Sequence, residues 1–216
     1  MNIRFLYEEK SSKSTSILFL KTAHKKKEKA IFFDRDGVLI KDVNYIKSSD
    51  QVEICKNVVL FLRKAKFLGY AIVIVTNQSS VSREIISYDQ YIEITSKFLS
   101  FLPIDLYPDL IMSSFHLPNN ENNLSNFNWR KPGTGMFDYA FVNYQYNPKY
   151  SIMIGDKLTD LIPAYKSGID SIIYMESDLH KERESELVRH WALKNRLSYH
   201  IWQELNVGFL EKNPYI

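Results

Sequence analysis

The run from Ala30 to Ile40, Ala-Ile-Phe-Phe-Asp-Arg-Asp-Gly-Val-Leu-Ile, constrains this chain more than any other stretch. Four consecutive apolar residues suit a strand buried on both faces of a parallel sheet, and they give way at once to Asp34 and Asp36. Carboxylates at the carboxyl end of such a strand lie on the edge where open α/β sheets bind ligands, which prepares a cation or phosphate site. Gly37 then lets the backbone turn sharply without a Cβ penalty. Asp and Gly also form ordinary turns after any strand, so the pattern gains meaning from its company. Three later segments each bring a residue suited to phosphate chemistry to, or near, the end of a predicted strand.

Following the chain, Lys41 to Glu53 reads as a polar loop over the mouth of the site and carries Asn44 and Tyr45. Asn57 caps a predicted helix that runs to Leu68 and is closed by Gly69. A second buried strand, Tyr70 to Val75, ends on Thr76-Asn77-Gln78-Ser79, where the Thr76 hydroxyl either donates to a phosphoryl oxygen or caps the next helix. Ser82 and Ser87 are further caps before a helix over Tyr88 to Phe101. Asp109 to Ser114 forms a third strand and opens into a long polar loop, Phe115 to Trp129, followed by Arg130-Lys131-Pro132. A lysine projecting from there into the site would neutralise a transferring phosphoryl group, although lysines are usually solvated surface cations. A helix over Gly135 to Tyr144 leads to a fourth strand, Tyr150 to Ile154, ending in Gly155-Asp156-Lys157-Leu158-Thr159-Asp160. Asp156 stands where a hard divalent cation can be held, and Asp160 lies one turn further on, as a second acid or as a helix N-terminal charge. The helix through Ser167 tolerates Pro163 only in its first turn. Ser171 to Met175 is a fifth strand, and Lys181 to Lys194 and a short terminal helix complete the chain.

The 216 residues, 45% of them apolar, suffice for one α/β domain with appendages. The divisions read as an N-terminal extension (1–28), a core (29–176) and a C-terminal helical extension (177–216) packing on the core. Within the first, Ser11 to Ser16 reads as a linker and Lys25 to Lys27 as a solvated charge run. A net charge of +3, with bases and acids interspersed, gives no basic stripe for nucleic acid. Cys55 is the only cysteine, which removes any internal disulfide. The N-terminal apolar patch, Ile17 to Leu20, is far shorter than a signal-peptide core, and no run approaches the length of a membrane span. The expectation is a cytoplasmic protein whose partner is a small phosphorylated metabolite, with no nucleic acid, no membrane and a monomeric state.

The order Asp34-x-Asp36-Gly37, Thr76-Asn77-Gln78, Arg130-Lys131-Pro132 and Gly155-Asp156-Lys157-x-x-Asp160 resembles the haloacid dehalogenase superfamily of phosphatases. Within it, the similarity is to the branch containing D-glycero-D-manno-heptose 1,7-bisphosphate phosphatase and the histidinol-phosphate phosphatase domain, over about Lys29 to Met175. The resemblance implies an α/β fold, a Rossmann-like three-layer sandwich with a mainly parallel central sheet. About 35 residues between Ile40 and Thr76 leave no room there for a large cap domain. It also implies a Mg²⁺-dependent phosphomonoesterase in which Asp34 forms an aspartyl-phosphate and Asp36 serves as acid, then base. The metal would be held by Asp34, the Asp36 carbonyl and Asp156. Thr76 and Lys131 would grip the phosphoryl oxygens, Lys157 and Asp160 would support the metal end, and Asn77, Gln78, Ser79, Arg130, Asn44 and Tyr45 would face the substrate. By resemblance that substrate is heptose 1,7-bisphosphate, losing its 7-phosphate, with histidinol phosphate second. A catalytically silent phosphosugar- or partner-binding homologue is the rival, against which the intact Asp34 and Asp36 argue.

Two departures stand out. The branch commonly carries a structural zinc on three cysteines and one histidine before Arg-Lys-Pro, where this chain has Ser114, His116, Phe127 and Trp129. One histidine cannot make a four-ligand site, so no structural zinc is expected and packing by Phe127 and Trp129 must hold the loop. After Thr-Asn-Gln, the usual Gly-x-x-Arg-Gly is here Ser80-Val81-Ser82-Arg83-Glu84, which restricts the backbone and adds a negative charge beside the substrate.

Overall fold

The computed structural model of the chain describes residues 7–12, 14–20, 27–118, 129–177 and 181–212. In chain order the elements are β1 (Tyr7–Ser12), β2 (Thr15–Leu20), β3 (Ala30–Phe33), α1 (Val58–Phe67), β4 (Ala71–Asn77), α2 (Ser79–Ser82), α3 (Tyr88–Ser100) and β5 (Leu110–Ser114). They continue with α4 (Gly135–Tyr144), β6 (Ile152–Gly155), α5 (Leu158–Lys166), β7 (Ser171–Met175), α6 (Lys181–Asn195), β8 (His200–Trp202) and α7 (Val207–Lys212). The eight strands form one sheet in the order β1-β2-β5-β4-β3-β6-β7-β8. Six of them, β3 to β8, pair in parallel, while β1 and β2 join one edge antiparallel.

β3 shows why the sheet is covered on both sides. Ile31 and Phe33 point into a cluster with Phe61 and Leu62 of α1, Tyr91 and Phe98 of α3, and Phe209 of α7. Ala30 and Phe32 point the opposite way, among Met136 and Phe137 of α4, Leu161 of α5 and Val188 of α6. All four β3 residues are fully buried, so the period-two alternation of a strand feeds two apolar layers at once. The three-layer sandwich follows, with β3 central. Between Ile40 and α1 the chain makes a short bridge (Ile40 with Ile54) and a single 3₁₀ turn, Ser49–Gln51, with no domain inserted.

Several local expectations need correction. Ser11 to Ser16 is not a linker: it is the tip of the β1–β2 hairpin, registered by Ser12 opposite Thr15 and continued onto the sheet by Thr15 opposite Ser114. An edge partner supplies the backbone hydrogen bonds that a serine-rich stretch cannot advertise by its side chains. Lys27 is not solvated, since its Nζ donates to Asp109 Oδ1 at 2.7 Å, while Lys25 and Lys26 lie outside the described residues. Asn57 precedes α1 in a left-handed conformation (φ 63) and makes no capping bond with its side chain. Its Nδ2 instead donates to the Leu205 carbonyl and Glu204, fastening the C-terminal segment. α5 begins at Leu158, so Pro163 falls in its second turn. Thr159, whose carbonyl thereby loses its intrahelical donor, is exposed to water that can replace it. Ser87 does cap α3, in a reciprocal pair with Gln90.

Candidate active site

Parallel pairing places the chemistry. Phe33 of β3 is registered with Ile154 of β6, and the Asp34 N–H still donates to the Ile154 carbonyl at 3.0 Å. The residues that leave these neighbouring strands, Asp34 and Asp156, therefore emerge side by side. Two glycines make the convergence sterically feasible. A Cβ on Gly37, which sits at φ 89, would lie 2.3 Å from Asp156 Oδ2, and one on Gly155 would lie 2.4 Å from the Asp160 Cβ. One carboxylate oxygen from each of Asp34, Asp156 and Asp160 lies within 4.8 Å of the others, and all three residues are buried.

Lys131 is inserted among these acids. Its Nζ donates to Asp34 Oδ1 (2.9 Å) and the Val75 carbonyl (2.6 Å), and it lies 2.6 Å from Asp160 Oδ1. Burial works against the ammonium charge, but Asp160 and Asp34 outweigh it and raise the Lys131 pKa. The backbone of Lys131 is pinned by Asn77, whose amide both donates to the Lys131 carbonyl (2.9 Å) and accepts from its N–H (3.1 Å). Asn77, expected at the substrate, thus lines the pocket while its side chain joins the end of β4 to the Arg-Lys-Pro segment. Trp129 secures the segment from the other side: its Nε1 donates to the Ser113 carbonyl at 3.1 Å and its ring stands edge-on to Tyr139. Phe127, the other expected anchor, lies outside the described residues.

The three acids differ in what satisfies them. Asp160 Oδ2 accepts the Lys157 N–H at 3.0 Å, capping α5, while its other oxygen faces Lys131. Asp156 Oδ2 accepts from Ser177 Oγ at 3.0 Å and has Lys157 Nζ at 3.5 Å, but Asp156 Oδ1 is buried with no partner among the described residues. Burial, followed by repulsion from Asp160 and Asp34, lifts the Asp156 pKa well above the usual carboxylate range despite Lys157. Burial likewise raises that of Asp160, with Lys131 opposing. Lys157 binds Asp42 at 2.9 Å, and its neighbouring acids raise its pKa in spite of its own burial. Hard oxygens converging on a buried orphan atom form a donor set suited to Mg²⁺. Asp160, which sequence reasoning held only as support, belongs to that set. The Asp36 side chain does not.

Asp36 is held apart. Arg35 Nε and Nη2 donate to its two oxygens (3.1 and 3.0 Å), and Gln78 Nε2 adds a bond of 2.6 Å to Oδ2. Gln78 thus reaches the acid, and its same nitrogen lies 2.9 Å from Thr76 Oγ1. Thr76 is buried behind it and does not line the pocket, so its expected grip on the ligand gives way to supporting Gln78. Above these groups opens a cavity of about 280 Å³ whose walls include Asp34, Asn44, Tyr45, Ser79, Arg130, Lys131 and Lys157. Arg130 is steadied by donating to the His116 carbonyl at 2.9 Å. Arg35, Asp42, Ser80 and Thr159 also line it and were missed. Arg35 had a signal in its charge at the end of an apolar run; Ser177 had none. Glu84, standing where the branch has a second glycine, takes the left-handed conformation at φ 56.

With this geometry established, relatives identify the lineage. A model of the family described as polynucleotide kinase 3 phosphatase matches residues 29–203. A Haemophilus influenzae protein named D-glycero-beta-D-manno-heptose-1,7-bisphosphate 7-phosphatase is 35% identical over 150 residues, covering 68% of this chain and 79% of its own. One from Photorhabdus laumondii, named for the alpha anomer, is 33% identical over 151 residues, covering 66% and 80%. Among solved structures, D,D-heptose 1,7-bisphosphate phosphatase from B. bronchiseptica, complexed with magnesium and phosphate, shares the fold with a TM-score of 0.68. The identity is 21%, and the match covers 85% of this chain and 97% of that one. A matched region running from the residue before β3 to the residue after β8, together with these relatives, places the chain in the polynucleotide kinase 3 phosphatase family.

Proposed function

We propose that this phosphatase hydrolyses a small phosphorylated sugar through an aspartyl-phosphate on Asp34, and that the substrate is D-glycero-D-manno-heptose 1,7-bisphosphate, dephosphorylated at position 7. The carrying observation is the asymmetric hold on Asp34: Lys131 binds Oδ1 at 2.9 Å at the floor of the cavity. The second oxygen is left to attack phosphorus. As the new P–O bond forms, the ester P–O bond breaks and Asp36 gives its proton to the departing alcohol oxygen. Water then attacks the same phosphorus, Asp36 takes back a proton, and Asp34 and inorganic phosphate are released. Asp34 and Asp156 with the Asp36 carbonyl, joined by Asp160, are the groups that would hold Mg²⁺, which would supply charge neutralisation for an anionic nucleophile meeting an anionic ester. Lys131 keeps Asp34 aimed, and Lys157 and Arg130 add positive charge to the cavity walls.

A cavity of about 280 Å³ suits a phosphosugar better than a polymer, and the net charge of +3 supports a free metabolite over nucleic acid. The names of the relatives support the heptose. Among the described residues no helix is long and apolar enough to cross a membrane. A monomer acting in the cytoplasm belongs to the same proposal, resting on the lone cysteine and the self-contained cavity. The division into an N-terminal extension (1–28), a core (29–176) and a C-terminal extension (177–216) is also proposed.

The test is phosphate release with Mg²⁺ from heptose 1,7-bisphosphate, histidinol phosphate, nucleotides and a 3′-phosphorylated oligonucleotide, compared with Asp34→Asn. The expected result is preference for the heptose and loss of turnover in the variant. Preference for the oligonucleotide or nucleotides overturns the substrate; equal rates in both proteins overturn the enzyme assignment.

A further inference from the structure

We propose that Arg35 is a positioning residue for Asp36, forming with Gln78 a two-sided clamp that sets the direction in which the Asp36 proton travels. The proposal rests on Asp36 being the proton-transfer group of the reaction above.

Arg35 is only 3% exposed, yet it lies next in sequence to the acid it binds. Adjacent side chains on a strand point to opposite faces, so their meeting requires the chain to leave β3 before Asp36. It does: the Arg35 carbonyl accepts the N–H groups of both Leu39 and Ile40 at 3.0 Å, which folds the backbone into a turn and fixes the base of the fork. From there Nε and Nη2 engage one Asp36 oxygen each, the bidentate geometry that fixes the plane of a carboxylate. Gln78 approaches Oδ2 from the end of β4 and is itself backed by Thr76. Asp36 is therefore held from the turns that follow two strands, β3 and β4, while its side chain keeps 21% exposure at the cavity wall.

The fold does not need this arrangement. Burying a guanidinium is costly, and a buried ion pair is often no more stabilising than apolar residues of similar volume. The fork is also turned at a loss, because Arg35 Nη1 is buried with no partner among the described residues. A side chain that forfeits one of its own hydrogen bonds in order to grip Asp36 with two others is arranged for orientation. Proton transfer to a leaving oxygen depends steeply on such alignment.

The experiment compares kcat/KM, which reports the step that breaks the ester bond, for a sugar phosphate and for p-nitrophenyl phosphate. The sugar alkoxide needs a proton to leave, and nitrophenolate does not. Arg35→Met is expected to lower kcat/KM for the sugar phosphate about 50-fold and for the aryl phosphate less than about fivefold. Arg35→Lys should recover part of the loss. In Asp36→Asn the further change Arg35→Met should cost nothing more, since no proton remains to be aimed. Gln78→Leu, which leaves the buried charge intact, should show the same leaving-group dependence and serves if Arg35→Met does not fold. Equal losses on the two esters, or losses that multiply with those of Asp36→Asn, overturn the clamp. Asp36→Asn at wild-type rate overturns the role assigned to Asp36 itself, and the clamp with it.

Discussion

The sheet carries a buried ionic cluster at each end of its parallel strands, and the two are built on opposite plans. At the amino ends, Asp109 accepts from Lys27 through Oδ1 (2.7 Å) and from the Ile72 N–H through Oδ2 (2.8 Å), with Lys66 at 3.3 Å. Lys27 and Lys66 also donate to the Tyr70 and Tyr107 carbonyls. One acid meets two cations there, and both its oxygens are used. At the carboxyl ends, Lys131 is shared by Asp34 and Asp160 and Lys157 stands 3.5 Å from Asp156, so three buried acids meet two cations; two of the acids have raised pKa values, and Asp156 Oδ1 has no partner among the described residues. Both clusters are ionic and buried, so burial of charge alone does not mark a site. Imbalance marks it: a closed cluster stabilises the fold, and an acid-rich cluster with an orphan atom is stabilised by something that binds.

The largest separation should come from removing one acid at each end. Asp34→Asn is expected to lower kcat on the order of 10⁴-fold, with unfolding stability changed by no more than about 1 kcal/mol. Asp109→Ala leaves two lysines without their acid and should cost about 3 kcal/mol in urea melts, with kcat unaffected below the transition. If Asp109→Ala abolished turnover in folded protein, or Asp34→Asn unfolded the chain, the two clusters would not differ in kind.

Next in size is the response to pH and metal. Asp156 and Asp160 bind their protons more tightly in the folded chain than in the unfolded one. The stability they contribute is fully present below the ordinary carboxylate range, and it is lost as pH rises from there toward their raised values. Metal-free protein should therefore melt at lower temperature as pH climbs from about 4 toward neutrality. Mg²⁺ binds the ionised form, so it should reverse that slope, adding about 2.7 kcal/mol at a hundredfold excess over its dissociation constant. The shift should be larger at pH 8 than at pH 5, and Asp109→Ala should leave it intact. Thermal melts with and without EDTA measure both, and a Mg²⁺ shift independent of pH would contradict the assignment.

The smallest effect concerns Glu84, whose φ of 56 strains a residue with a Cβ. Glu84→Gly should raise stability by less than about 1 kcal/mol, because relief of strain is partly offset by a freer unfolded chain. A destabilisation in chemical melts would show that the Glu84 side chain is held by its surroundings.

How legible all this was depends on how local each cause is. Asp34 and Asp156 could be found because apolar runs announce buried parallel strands, and the residues that end such runs share one edge of the sheet; Lys131 follows a long polar loop and was found only through the order of the motifs around it. The β1–β2 hairpin was missed because its justification, the edge of β5, is nearly a hundred residues away in sequence. β8 has three residues and depends on pairing with β7. Side-chain commitments were the least visible. Gln78 and Asn77 read as substrate contacts, but they are tied to Asp36 and the Lys131 backbone, partners that only the crossover brings near. Asp160 gained its place from Gly155, whose missing Cβ admits it.

The most direct test of the central claim is chemical trapping of the acyl-phosphate. Protein quenched during turnover with heptose 1,7-bisphosphate and Mg²⁺ and reduced with borohydride should carry homoserine in place of Asp34 in its peptide map, with Asp36, Asp156 and Asp160 unchanged. Sustained phosphate release with Asp34 always recovered intact, or reduction at another of these acids, would contradict the account.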